Sequence, residues 1–177
     1  MNLIGDHIIL RALEPEDVDY LYRTENDPDF ALFGDQHPPY SRFLLRNYIE
    51  QAHQSIYTAQ QLRLVIHHKV ADQAIGLIDL YDFDVRNMRV ALGIVITEPS
   101  FRGQGIGRDA VGLILKYTFD VLDCRQVYTL IAPDNQSSIA LFSSSGFEQT
   151  SVLKSWWQSE NGLFQDMLIF QKFKDKS

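Results

Sequence analysis

A single α/β domain of the α+β kind is the fold class this 177-residue sequence predicts. Three observations carry that prediction. Apolar residues alternate in some short runs and recur at helical spacing in others, so strands and helices are both present. The central strands are joined by "KVADQ" and "DVRN", turn-sized polar connections suited to antiparallel hairpins. No internal repeat, low-complexity tract or Pro/Ser-rich linker divides the chain, so residues 1–177 are expected to form one domain.

In order along the chain, "HIILRAL" alternates as a first strand. Pro15 suits a first helical turn, and "PEDVDYLYRTEN" continues it with acidic residues at the end that the helix dipole favours. "DPDFALFGDQHPPY" is broken by Pro28, Gly34, Pro38 and Pro39 and reads as a loop. Ser41 can cap a second helix, "RFLLRNYIEQAHQSIY". Three strands follow, "LRLVIHH", "AIGLIDLYDF" and "RVALGIVI". Then comes a helix, "IGRDAVGLILKYTFDVL", with Ile106, Val111, Ile114, Leu115, Phe119 and Leu122 at helical spacing. "QVYTLIA" is a strand, and "DNQSSIALFSSSG" is a short helix stopped by Gly146, a natural left-handed cap. "FEQTSVLKSWW" and "LFQDMLIFQ" form a last hairpin around Asn161-Gly162, a strong turn signal.

Composition narrows the function. The chain is 45% hydrophobic and 22% charged, ordinary for a globular protein. Its 16 basic and 23 acidic residues leave a net charge of −7, which argues against nucleic-acid binding and favours cationic small-molecule partners. No apolar run is long enough to span a membrane, and the N-terminus lacks the basic start and apolar core of a secretory signal. It reads as mature sequence. One cysteine, Cys124, excludes an internal disulfide and fits a reducing compartment, so a cytoplasmic location is expected. The histidines show no metal-ligand spacing.

The densest signal is "FRGQGIGRD", residues 101–109, which places Gly103, Gly105 and Gly107 between a strand and a helix. A P-loop is excluded, because no GxxxxGK with a following Ser or Thr exists. The dinucleotide fingerprint GxGxxG fits poorly, since the glycines fall as GxGxG behind a meander of strands. What fits is a more general device: consecutive N–H groups at a helix N-terminus that bind an anion, with glycines letting backbone approach a pyrophosphate and Arg102 and Arg108 adding charge.

The surroundings resemble the GCN5-related N-acetyltransferase (GNAT) superfamily. Arg102-Gly103-Gln104-Gly105-Ile106-Gly107 matches its R/Q-x-x-G-x-G/A signature. "LRALEPED", "YTF" and "NQSSIALFSSSGF" are similar to strings of the subgroup holding ribosomal-protein N-terminal and spermidine N-acetyltransferases. The resemblance implies a mixed, bent sheet that splays between "ALGIVI" and "QVYTLI" around an acyl-CoA cleft, flanked by about four helices. It implies that acetyl-CoA is the co-substrate, without a metal. The pantetheine arm would pair with backbone at Ile94 and Ile96, a strand amide near Ile96 would polarise the carbonyl, and the amides of residues 102 to 107 (Arg102, Gly103, Gln104, Gly105, Ile106, Gly107) would hold the pyrophosphate. Asn135 matches a position that contacts the cofactor arm, although capping the short helix is an equally natural role. A small-molecule or peptide amine is the implied acceptor, and a homodimer would be ordinary for the family.

The chemistry needs a neutral amine. An ammonium of pKa ~10.4 is only about 0.04% neutral at pH 7, a cost of roughly 4.6 kcal/mol, whereas a leaving thiol near ~8.5 departs with little help. A base therefore matters more than an acid. Asp79, Tyr81 and Asp82 on "GLIDLYD" lie where relatives present acidic residues to the acceptor, and Asp82 stands where spermidine acetyltransferases carry a glutamate. The sequence also departs from the family. Phe142 occupies the place of the tyrosine that protonates the departing sulfur, and its spacing from Asn135 and Ser138 is expected to turn it to the cofactor cleft. Ser143, Ser144 and Ser145 replace the usual basic residue, and Ala91 replaces a glutamate. The expected function is acetyl transfer to a primary amine of a small molecule, polyamine or protein N-terminus. The alternative is a CoA-binding module of the same fold with weak or lost catalysis, acting as a sensor or partner protein. Trp156, Trp157 and Phe164 could line an acceptor pocket bordered by the acidic loop of Asp27, Asp29 and Asp35.

Overall fold

The computed structural model describes residues 3–30, 39–159 and 162–175. Its strands are β1 (Ile8–Arg11), β2 (Leu62–His68), β3 (Gln73–Asp84), β4 (Arg89–Ile96), β5 (Gln126–Ile131), β6 (Glu148–Gln158) and β7 (Phe164–Phe173). Its α-helices are α1 (Val18–Glu25), α2 (Arg42–Gln51), α3 (Ile56–Ala59), α4 (Ile106–Asp120) and α5 (Gln136–Ser144). The strands make one sheet in the order β1-β2-β3-β4-β5-β7-β6, antiparallel throughout except for the β4/β5 pair. Of the loop predicted after α1, residues 31–38, Asp35 among them, lie outside the description, as does Asn161 of the predicted hairpin turn.

Local chemistry sets the ends of these elements. The string "LRALEPED" earns its form because Arg11 grips Asp17 with two guanidinium nitrogens, at 2.7 and 2.8 Å, while Asp17 also accepts the Glu14 amide at 2.8 Å. That clasp fixes the chain as it leaves β1 and enters a 3-10 turn at Pro15–Asp17 leading into α1. Ser41 caps α2 by accepting the Leu44 amide at 3.1 Å. The second helix is shorter than its sequence suggests. It stops at Gln51, and Ser55 starts α3 afresh by accepting the Tyr57 amide at 3.3 Å, because a serine side chain rewards a cap more than a helix interior. This break makes five α-helices among the described residues where about four helices were expected.

Each sheet face has its own core. Ile78, Leu80, Leu92, Val127 and Phe170 pack with Ile106, Ala110, Val111, Ile114 and Leu115 of α4. On the opposite face Leu77 and Val65 pack with Leu21 of α1 and with Leu45 and Ile49 of α2. The feature that positions the site lies between β4 and β5. They pair only at Arg89↔Gln126, Val90↔Val127 and Ala91↔Tyr128, and beyond Ala91 they diverge. The rest of β4 keeps its register with β3, from Tyr81↔Ala91 to Gly76↔Ile96, and the rest of β5 keeps its register with β7. The sheet opens there without losing either half.

Candidate active site

The gap between β4 and β5 exposes a row of backbone polar groups, and the register shows which ones. The Thr97 amide donates to the Ile75 carbonyl at 2.9 Å. In an antiparallel pair successive residues face opposite edges, so the odd-numbered residues of β4 bond to β3. Leu92, Ile94 and Ile96 therefore turn their N–H and C=O groups toward the gap. Such an edge is a template for an extended, amide-bearing chain. The Ile96 carbonyl is already taken, since Arg102 Nε donates to it at 2.9 Å.

At the end of this row the chain enters α4 through the glycines. Gly103 and Gly105 have φ of 72° and 82°, the left-handed region in which glycine carries no steric penalty. Gly105 is the N-cap of α4, so no side chain caps the helix, and the N–H groups of Ile106, Gly107 and Arg108 have no acceptor within it. A Cβ on Gly103 or Gly105 would meet nothing within 4 Å. These donors, the helix dipole and the bare backbone suit an anion. A Cβ on Gly107 would stand 3.4 Å from both Leu141 methyls, in contact with α5. The expected place of the Arg102 amide among the pyrophosphate-binding N–H groups is corrected. That N–H donates to the Pro99 carbonyl at 3.1 Å, while Nε of the same residue donates to the Ile96 carbonyl and its guanidinium lies 5.8 Å from the Phe30 ring; Gln104 spends its side chain on the Ser100 carbonyl.

The opposite face of the sheet carries the candidate acceptor groups. Tyr81, Ala91 and Tyr128 form one cross-strand row at the closed end of the gap. Burial pushes the Tyr81 phenol up to about 12, with Tyr128, Asp82 and Asp79 adding to the effect. Asp82 is exposed at a β-bulge with φ 49°, a conformation aspartate tolerates better than most residues. Asp79 is engaged elsewhere. Arg63 donates to both its oxygens, at 2.6 and 3.1 Å, and to Glu25 at 2.5 Å, so Asp79 is an ion-pair partner and a poor candidate for a base.

On α5, Asn135 is the N-cap, its Oδ1 accepting the Ser138 amide at 3.0 Å and the Ser137 hydroxyl at 2.9 Å. The expectation that Phe142 faces the cleft is corrected. Gly146, at φ 83°, donates to the Ser143 carbonyl and Phe147 to that of Phe142, the Schellman pattern in which the two flanking apolar residues meet. The Phe142 and Phe147 rings pack edge to face at 5.1 Å, and Phe142 is 3% exposed within the main core.

Beside the mouth of the gap is a cleft of about 510 Å³, lined by Tyr20, Arg23, Asp27, Thr97, Glu98 and Arg102 among others. Tyr20 and Thr97 are joined through their hydroxyls at 3.0 Å, and burial pushes the Tyr20 phenol up to about 12. No local pattern marks this pair, because it joins α1 to the end of β4. Trp156 and Phe164 are 57% and 63% exposed on the last hairpin. Among the described residues no group of three His, Cys, Asp or Glu is placed to hold a metal, and no helix is long and apolar enough to cross a membrane.

Comparison with known proteins decides the family. The acetyltransferase (GNAT) domain family matches residues 7–148. The chain is a GNAT acetyltransferase. A spermidine N(1)-acetyltransferase of Vibrio cholerae is 24% identical over 165 residues, covering 93% of this chain and 91% of the relative. The N-acetyltransferase p20 of Bacillus licheniformis is 25% identical over 173 residues, covering 98% and 96%. Among solved structures, the ribosomal-protein-S5-alanine acetyltransferase of Vibrio fischeri superposes with a TM-score of 0.85 at 16% identity, covering 99% of this chain and 98% of that one. The V. cholerae spermidine N-acetyltransferase in complex with CoA and spermine gives 0.81 at 23% identity, covering 94% and 95%.

Acetyl-CoA is the co-substrate of the GNAT family, and it supplies an acyl group activated as a thioester. The residues present fit it: an uncapped helix N-terminus with glycines open to solvent, continuous with a strand edge that offers amides at Ile94 and Ile96. The buried place of Phe142 yields a prediction for this GNAT acetyltransferase. Phe142→Tyr should leave turnover unchanged and lower stability by about 1–3 kcal/mol, because the new hydroxyl enters a core with no partner provided for it. Paired measurements of kcat and thermal unfolding check this, and a large gain in kcat would instead mark a decayed enzyme.

Proposed function

We propose that this acetyltransferase acts on the primary amine of a small cationic molecule, of the polyamine type, that approaches the Tyr81–Ala91–Tyr128 row. The observation that carries the reading is the placement of that row: it ends the gap in which the thioester would lie, on the face opposite α4, with the exposed carboxylate of Asp82 beside it. The net charge of −7 and the acidic groups Asp27 and Glu98 of the neighbouring cleft support a cationic acceptor. So do the spermidine acetyltransferases of V. cholerae and Escherichia coli among its relatives. Asp82 attracts the ammonium and receives, directly or through a water, the proton that the attacking nitrogen must shed. Tyr81 shapes the row, its Cε1 lying 3.5 Å from where a Cβ on Gly93 would stand. The N–H groups of Ile94 and Ile96 orient the acyl arm.

The test is release of free CoA from acetyl-CoA with a panel of polyamines, short peptides and other amines. Turnover with polyamines is expected. Turnover with peptides alone would overturn the acceptor class, and silence with CoA binding intact would favour the non-catalytic module. Asp82→Asn, chosen because asparagine also tolerates φ 49°, should lower kcat/KM about 10²-fold. The reading includes a cytoplasmic location, with which the single, buried Cys124 is consistent. It also includes self-association, as a homodimer at least. β6 ends the sheet as an edge strand, and one neighbour is a dodecameric spermidine N-acetyltransferase. Light scattering that gives a monomer at every concentration would overturn this last point.

A further inference from the structure

Building on the acyl-transfer site proposed above, we propose that Tyr128 supplies the proton taken up by the departing sulfur, the task for which α5 offers only Phe142. The argument is one of position. Ala91↔Tyr128 is the last register pair before β4 and β5 separate, so Tyr128 stands on the wall of the gap at its closed end. An acyl arm lying along Ile96 and Ile94 reaches that end with its thioester. Ala91 beside the phenol contributes only a methyl, while the place above Gly93, the next residue of β4 on that face, is taken by the Tyr81 ring. Tyr128 is half-buried, whereas Phe142 is sealed in the core against Phe147. Tyr81 shares the row but is rooted on β3 and reaches over Gly93 of β4, whereas Tyr128 is carried by the strand that itself borders the gap.

Burial and the nearby carboxylates keep the proton on the donor. Burial first and then Asp82 raise the Tyr128 phenol above its ordinary value, Arg89 opposes them, and Asp84 adds the least, so the hydroxyl is intact at neutral pH. The step balances as follows. The C–N bond forms as the C–S bond breaks, and the C–S electron pair goes to sulfur. The Tyr128 Oη proton moves to that sulfur, the amine's proton leaves through Asp82, and solvent returns a proton to Tyr128.

The first test is independent of turnover. Free CoA bound to the protein carries a thiol whose ionisation is followed by thiolate absorbance in the ultraviolet. A hydroxyl donating to the thiolate holds that ionisation at lower pH, so Tyr128→Phe is expected to raise its midpoint by about one unit, while Tyr81→Phe leaves it in place. Equal midpoints in wild type and Tyr128→Phe would overturn the proposal, as would a shift produced by Tyr81→Phe alone. The second test uses the leaving group. Tyr128→Phe should lower kcat with acetyl-CoA about 10²-fold, and by much less with an acetyl thioester of a more acidic aryl thiol, because that leaving group departs without a proton. Equal losses with both donors would overturn the proton-donor role. A wild-type protein that acetylates no amine but shows the Tyr128-dependent thiol shift would sink the proposed function while sustaining this inference.

Discussion

Gly105→Glu is expected to abolish measurable acetyl-CoA binding while leaving a folded protein. Residue 105 is the N-cap of α4, and a Cβ built there meets nothing within 4 Å, so the glutamate would extend into open space without disturbing the core. Its folding cost is confined to the backbone. A non-glycine residue at φ 82° costs about 1–2 kcal/mol, which shifts the unfolding midpoint by a few degrees. The cost to binding is larger. The N–H groups of Ile106, Gly107 and Arg108 attract an anion because nothing in the helix satisfies them, and the new carboxylate both occupies them and repels a pyrophosphate. A loss of at least about 100-fold in affinity, equivalent to ~2.7 kcal/mol, is the expected calorimetric result. The helix itself gains from an acidic group at this end, so melting and binding move by very different amounts. Unchanged CoA affinity would remove the pyrophosphate from this loop.

Features that depend on a few adjacent residues could be read without the fold. Ser41 and Gly146 announced a helix start and a helix stop, because capping is a transaction between neighbours. The glycine run announced exposed backbone for the same reason. Yet three glycines looked alike in sequence while only Gly103 and Gly105 take a left-handed φ with open space around them; Gly107 is helical and faces Leu141, which lies on another helix. The partners of Arg102, the Ile96 and Pro99 carbonyls and Phe30, could not be read in sequence because they converge only after β4 turns into the glycine loop. Phe142 is the instructive case. Periodicity placed it on the face of Asn135 and Ser138, but the "SSSGF" string ends the helix in a motif that pulls Phe142 and Phe147 together. Asp79 could not be distinguished from Asp82 by sequence, because the difference is Arg63, which becomes its cross-strand neighbour only through the β2/β3 register.

That ion-pair cluster is where the largest loss of stability is expected. Arg63 on β2 binds Asp79 on β3 with two nitrogens and Glu25 at the end of α1 with a third, and its guanidinium lies 5.7 Å from the centre of the Tyr48 ring on α2. Burial works against the charge, but Asp79, with Tyr48 and Glu25, outweighs it and holds the guanidinium above its ordinary value. The side chains of Arg63, Asp79 and Glu25 are 21%, 18% and 23% exposed, so water can replace only part of what each loses with its partner. Arg63→Met keeps much of the volume and leaves two carboxylates facing one another without a cation. Breaking a buried pair from one side costs about 3–5 kcal/mol; residual exposure puts this case near ~3 kcal/mol, an unfolding midpoint lower by roughly 10 °C. If the loss comes from the orphaned charges, Arg63→Met combined with Asp79→Leu should recover a good part of it, because the second change removes one of them. A double variant as unstable as the sum of both single changes would show that lost packing decides the outcome. The acceptor side should register the break as well. Glu25 is the last residue of α1, and Asp27 and Phe30 of the neighbouring cleft follow it directly, so Arg63→Met is expected to raise KM for the amine while CoA affinity, set on the other side of β4, stays constant.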